Sequence, residues 1–310
     1  MKKTLLVTSI ALLAAGAAQA QTTIYGRLNT SLERQDSAGV KSSGMFNNSS
    51  RIGFKGIEDM GGGLKAGFQL EHGFDSDTGS STQGTQFWAR QSEVNLSGQF
   101  GTVRLGNFTS EAYFATADYV SLHNHDTGSS ADALYAYVGR NGNKLAYRSP
   151  DLNGLTLEGA VSLKEAGPDH GYDLAANYTM GAWQLGAGFE KLAGGKQFAL
   201  RALYETGPFV FGGYVQRDTD GFGAGLGNRT TLRLSGMYVM GVNEFHLNVG
   251  RAGDYSRVAD SSATQATIGL NHNLSKRTKV YGLYTKVAAS NGTPYVGDFS
   301  SFALGVRHNF

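Results

Sequence analysis

From Gln21 onward nearly every segment of the chain alternates apolar and polar residues with a period of two, and no apolar run there approaches the eighteen residues of a membrane-spanning helix. Ile24, Gly26 and Leu28 fall on one face, Tyr25, Arg27 and Asn29 on the other. Leu64 to Glu71, Leu155 to Leu163, Tyr172 to Met180, Trp183 to Glu190, Gln197 to Tyr204 and Thr231 to Tyr238 repeat the pattern, and no stretch sustains a 3.6-residue period. Such strands need a different environment on each side. The breakers between them alternate in length. Short ones at Glu58–Gly62, Gly98–Gly101, Pro150–Gly154, Gly181, Gly207–Pro208, Gly241–Asn243 and Leu274–Arg277 read as tight turns. Longer ones at Gln35–Asn48, Asp75–Gly84, Phe108–Gly139, Lys164–His170, Ala193–Lys196, Thr219–Asn228, Asp254–Ser262 and Ala289–Phe299 read as loops. Seven turns and eight loops join sixteen strands. Short turns on one rim and long loops on the other are the pattern of an outer-membrane barrel. The length agrees: sixteen tilted strands of ~11 residues take roughly 180 positions and leave the rest for connections.

The residues before Gln21 read as an export signal. Lys2 and Lys3 give a basic start, Leu5 to Ala17 an apolar run too short to cross a bilayer, and Ala18-Gln19-Ala20 a small-x-small cleavage pattern. The expected organisation is therefore a signal peptide over 1–20 and one barrel domain over 21–310. Lys+Arg number 27 against 25 Asp+Glu, and the surplus is Lys2 and Lys3, so the mature chain is formally neutral. No nucleic-acid partner is expected from that balance. The absence of Cys removes thiolate metal sites, Cys nucleophiles and disulfide scaffolds. Charged residues at 17% fall below the ~25% of soluble proteins. Gly is abundant at 44 residues but has no G-X-Y period, and with only 4 Pro the chain is neither collagen-like nor a disordered tract.

At the other end Phe302, Leu304, Val306, His308 and Phe310 share one face, and a terminal aromatic strand resembles the signal read by the barrel-insertion machinery of Gram-negative outer membranes. The chain as a whole resembles the Gram-negative general porins in their β-proteobacterial form. The resemblance is carried by Thr23 to Leu28, Ser50-Arg51-Ile52-Gly53-Phe54-Lys55-Gly56-Ile57-Glu58-Asp59, Gly61 to Glu71, Val94 to Gly106, Leu145 to Pro150 and the C-terminal strand. It implies an all-β transmembrane antiparallel β-barrel of 16 strands, assembled as a homotrimer, with the long third loop folded into the pore. The longest breaker, Phe108–Gly139, is the third loop. Asn107 departs from the family, which commonly has Arg there.

A pore selects by width and by rings of fixed charge, so opposed charges are the chemistry to seek. Arg27, Arg51, Lys55 and Lys65 fall on the inward phase. Arg90 and Arg140 stand where the resemblance implies wall arginines. Arg90 shares phase with the outward Val94 and Leu96, and a bulge near Ser92 would reconcile it. An arginine facing lipid at mid-bilayer costs about 2–4 kcal/mol, which favours the lumen. The expected basic wall is Arg27, Arg51, Lys55, Arg90 and Arg140. Against it the third loop offers Glu111, Asp118, Asp126 and Asp132, setting a transverse field; the plainer alternative is that these acids pair with wall arginines or hydrate the rim. His123-x-His125-Asp126 lacks a third ligand fixed by spacing, Gly221 to Gly227 lacks the Lys-Ser/Thr of a phosphate loop, and there is no G-x-S-x-G elbow. No catalytic residue, metal or cofactor is expected. The reading is a Gram-negative outer-membrane channel for passive diffusion of small hydrophilic solutes and ions, leaning towards anions. Its expected partners are outer-membrane lipid, lipopolysaccharide and the barrel-assembly machinery. The alternative is a substrate-specific channel; an enzyme or an adhesin fits less well.

Overall fold

The computed structural model describes residues 21–123, 133–289, 294 and 297–310; the expected signal peptide, with Asp126 and Asp132, lies outside the described residues. The strands are β1 (Gln21–Ser37), β2 (Val40–Asn47), β3 (Arg51–Asp59), β4 (Lys65–Gly73), β5 (Gln91–Gly98), β6 (Gly101–Asn107), β7 (Lys144–Arg148), β8 (Leu155–Ser162), β9 (Gly171–Met180), β10 (Trp183–Leu192), β11 (Gly195–Thr206), β12 (Phe209–Thr219), β13 (Asn228–Met240), β14 (Asn243–Ala252), β15 (Ala263–Asn273), β16 (Thr278–Ala289) and β17 (Phe299–Asn309). All pair antiparallel in one sheet. β17 returns to β1 in register from Arg27↔Asn309 to Ser37↔Phe299, and Gly26 and Phe310 exchange backbone hydrogen bonds at 3.1 Å, which closes the barrel.

These seventeen segments make sixteen staves. β2 and β3 both pair with β1, β2 along Thr30–Ser37 and β3 along Gln21–Arg27, so they are one stave interrupted at Asn48–Ser50. Ser49 has φ 55°, and the Asn29 amide donates to Ser50 Oγ at 3.0 Å across the gap. The interruption is a bulge that turns Asn48 into the barrel, where its side-chain amide donates to Ser31 Oγ and Tyr281 OH.

Burial is inverted relative to a soluble protein. On β13, Leu232 and Leu234 are exposed while Arg229, Thr231 and Arg233 are buried; Leu234 is 73% exposed and Arg233 1%. Apolar residues outside and polar ones inside suit a wall between hydrocarbon and a hydrated lumen. At the short-turn rim the outward positions hold aromatics, with Trp183 and Tyr204 rings 4.6 Å apart and Phe209 stacked on Tyr238 at 5.0 Å. Such rings suit the interface between lipid tails and water.

All seven predicted turns join strands, but two predicted loops do not exist as loops. Gln35–Asn48 is a hairpin whose only connection is Ala38-Gly39, both at positive φ. Ala193–Lys196 reduces to the two-residue turn Ala193-Gly194. The third outer connection is the longest, from residue 108 to 143, and contains helix α1 (Glu111–Thr116).

Candidate functional site

The third loop is fastened to one side of the lumen. Asn107 Nδ2 donates to the Ala89 carbonyl at 2.8 Å, tying the loop's base to the second loop. Ser110 caps α1 by accepting from the Ala112 amide at 3.1 Å. The helix then runs directly over β10, where Gly186 and Gly188 leave room for its backbone. A Cβ at Gly188 would stand 2.6 Å from the Ala112 carbonyl oxygen, and one at Gly186 would overlap that of Ala115. The return arm is held as firmly. Gln216 donates to the Ala136 carbonyl at 2.9 Å and accepts from its amide at 2.8 Å, Arg229 donates to the Leu134 carbonyl at 3.2 Å, and Gln197 donates to Tyr135 OH at 3.0 Å.

Across from this fastened edge lies a polar cavity of ≈ 430 Å³. Arg27, Arg51 and Glu71 line it from the barrel wall, Arg90 from the end of the second loop, and Thr109, Tyr113 and Asp118 from the third loop. Arg90 Nε donates to Glu71 Oε1 at 2.7 Å. Three guanidiniums thus converge on one side of the cavity, with Glu71 paired to Arg90 beside them and Asp118 facing them from the loop. Lys55 sits apart from that cavity, its Nζ 5.3 Å from the Tyr25 ring centroid, while Gln69 donates to Tyr25 OH at 2.6 Å.

Several site expectations need correction. No bulge at Ser92 brings Arg90 inward: β5 pairs continuously from Gln91, and Arg90 lies just before it in the second loop, so strand phase never governed it. Arg140 is not on the constriction wall. It lies on the return arm beside the fourth loop, donating to the carbonyls of Asp169 at 2.9 Å and Leu163 at 3.4 Å. Glu111 does not face the three arginines either. It pairs with Arg148 and accepts from Asn177 at 3.2 Å, anchoring α1 to the opposite wall. Burial raises the Glu111 carboxyl above its ordinary pKa, with Arg148 opposing. His123 packs its ring 5.9 Å from His246, whereas His125 and Asp126 lie outside the described residues. Phe310 lays its ring over Gly26 at the seam.

The adjoining wall, from β5 to β9, carries a charge ladder that no motif signals. Arg104 bridges Glu93 at 2.7 Å and Glu158 at 3.1 Å, and Arg148 bridges Glu158 at 2.8 Å and Glu111. Lys144 pairs with Asp173 at 3.0 Å, with side chains only 0% and 4% exposed. Removing one partner of a buried pair costs about 3–5 kcal/mol because the other charge is stranded. Asp173→Asn should therefore lower the unfolding midpoint in denaturant, whereas the double change Asp173→Leu with Lys144→Met should recover most of it. A midpoint equal to the wild type in Asp173→Asn would show the pair to be dispensable. Arg201 and Arg233 also lie buried on the inward phase, which alternation alone exposes to view.

Comparison with known proteins agrees with this geometry. A family model described as Gram-negative porin matches residues 7–292. The chain belongs to the Gram-negative porin family. This porin is 31% identical over 360 aligned residues to outer membrane porin protein 32 of Delftia acidovorans, with all of both chains covered. It is 28% identical to an outer membrane porin of Bordetella pertussis, again over the whole of both. Among solved structures, an anion-selective porin from Comamonas acidovorans shares the fold with a TM-score of 0.76 at 23% identity, covering 94% of this chain and 100% of that one. The porin is thus a Gram-negative outer-membrane channel for passive diffusion, not an enzyme.

Proposed function

We propose that this porin passes small hydrophilic solutes and ions with a preference for anions, and that Arg27, Arg51 and Arg90 set the preference. The observation that carries this reading is their convergence on one wall of the lumen opposite Asp118, three cations against the two carboxylates that line the same cavity. Fixed positive charge in a narrow pore raises the local anion concentration and lowers that of cations. The name of the similar Comamonas acidovorans structure, an anion-selective porin, supports the same direction. The porin acts as a homotrimer, a reading supported by a similar outer-membrane protein of Vibrio cholerae solved in trimer form. Residues 1–20 direct export, the strand ending at Phe310 is read by the barrel-assembly machinery, and the finished barrel sits among outer-membrane lipid and lipopolysaccharide.

Reversal potential across a planar bilayer in a KCl gradient tests the ion preference. The expected sign is that of chloride permeating faster than potassium, with insertions in three equal conductance steps. A zero or potassium-selective potential would overturn the proposal.

A further inference from the structure

We infer that His123 of the third loop and His246 of β14 form a binding site for a divalent transition metal of the Zn²⁺ class, which fastens the loop to the wall. The sequence around His123 offers no third ligand at a fixed spacing, and the partner comes instead from a distant strand. His246 lies on the inward phase of β14, and His123 reaches it from the loop. Their ring centroids are 5.9 Å apart, with the planes tilted by 51°. A metal held by two imidazoles stands ~2.0–2.1 Å from each nitrogen, which places the centroids about 5 Å apart at a tetrahedral angle and about 6 Å apart when the rings oppose each other. The observed separation falls within that range. Both residues are shielded from water, His123 at 3% exposure and His246 at 4%.

The surroundings of His246 leave one ring atom open to a ligand. Its Nε2 is turned to the Asn271 amide nitrogen at 3.0 Å and to Glu244 Oε2 at 3.6 Å. Its Nδ1 is buried with no hydrogen-bond partner among the described residues. Buried polar atoms are rarely left unpaired, and one that is calls for an ion or a water to satisfy it. A carboxylate behind the far nitrogen of a metal-binding histidine orients the ring and makes it a stronger donor. Glu244 occupies that place, and a proton kept on Nε2 leaves the Nδ1 lone pair for the metal. Among the described residues no group of three His, Cys, Asp or Glu side chains is placed to hold an ion, so water completes the shell around the two imidazoles. Such a donor set selects Zn²⁺ over Mg²⁺, which takes oxygen ligands. Glu244, its side chain 21% exposed, connects the site to the lumen. Lys279 shares its Oε2 at 3.1 Å, so the imidazoles and not net negative charge hold the ion. The site uses none of the residues assigned to the ion preference.

The test uses the full-length porin in neutral detergent, freed of metal with EDTA, and reads its thermal unfolding midpoint as ZnCl₂ is added. Zn²⁺ should raise the wild-type midpoint with concentration, as any ligand of the folded state does, and EDTA should reverse the rise. MgCl₂ at the same concentrations should leave it unchanged. His123→Gln and His246→Gln should each lose most of the rise, whereas His272→Gln, on the outward phase of β15, should keep it. A rise kept in His246→Gln, or matched by MgCl₂, would overturn the inference. A rise kept in His246→Gln but lost in His125→Gln would give the metal to the His123-x-His125 pair instead. Because His123 is in the loop, loss of the rise in its variant does not depend on how well β14 tolerates substitution. On the wild type, Cu²⁺ bound in place of Zn²⁺ should give an electron paramagnetic resonance spectrum coupled to two imidazole nitrogens, and coupling to one or none would also overturn the pairing. Each variant should keep the wild-type reversal potential in metal-free KCl, which certifies its fold and separates loss of the metal from loss of the ion preference.

Discussion

Single-channel conductance should fall to well under half when Gly186 is replaced by valine. Gly186 lies on the inward face of β10, and a Cβ there would overlap the carbonyl oxygen of Ala115 in α1. Interiors packed at crystal-like density have no slack for an added isopropyl group. Valine suits the strand itself, so the strain falls on the loop. The loop cannot move outward, since its return arm hangs on Gln216 and Arg229 and its helix on Arg148. It can only move towards Arg27, Arg51 and Arg90, into the opening. Gly236→Val is the matched control, because Gly236 is on the outward phase of β13 and a Cβ there meets nothing closer than Phe211 Cδ1 at 3.9 Å. That variant should conduct like the wild type. Unchanged conductance in Gly186→Val would show that the loop's seat on β10 does not set the bore.

Substituting Arg27, Arg51 and Arg90 together by glutamine should reverse the sign of the reversal potential. An ion passing roughly 8 Å from a fixed charge feels about 0.5 kcal/mol in a water-like dielectric, so the net single positive charge of three cations and two carboxylates favours an anion by about 0.5 kcal/mol, and removing the three cations shifts the balance by about 1.5 kcal/mol, on the order of tenfold, towards cations. After the substitution Glu71 and Asp118 remain in the same cavity without their cations, and potassium becomes the preferred ion. The difference should shrink in ~1 M salt, where the screening length is about 3 Å. Arg140→Gln should leave the potential unchanged, because that side chain lies beside the fourth loop and not in the cavity lined by Arg27, Arg51 and Arg90. A triple variant that still prefers chloride would move the selecting charge elsewhere, with the ladder of Arg104 and Arg148 the next place to examine.

The barrel was legible in the sequence because its strands separate hydrocarbon from water at every second residue, and that difference is written into side-chain type. The signal fails where the strands rise above the lipid. Val40 to Asn47 form a strand exposed over most of its length, whose polar Lys41-Ser42-Ser43 run does not alternate, and Gln35–Asn48 reads as a polar loop although it pairs along its length with β1. The site was legible only by halves. Phase tells inward from outward, which finds Arg27 and Arg51, but it does not give the angular position around the barrel. Glu111 and Asp118 are seven positions apart on one loop, yet they face opposite walls. Arg90 and Arg140 lie outside strands, where phase has no meaning. Gly186 and Gly188 carry no chemical signal at all: their role is the space they leave for a segment that arrives from more than seventy residues upstream.

The seam between β1 and β17 has a kinetic consequence. With β2 and β3 counted as one stave, every other wall contact joins staves that follow one another in sequence, but this one joins the first strand to the last. Until it forms, the sheet has two long unpaired edges, each able to template another copy, and closing a loop of such length is entropically slow. The paired Gly26 and Phe310 therefore end the barrel's exposure to edge-to-edge association: once they meet, no strand edge is left to offer.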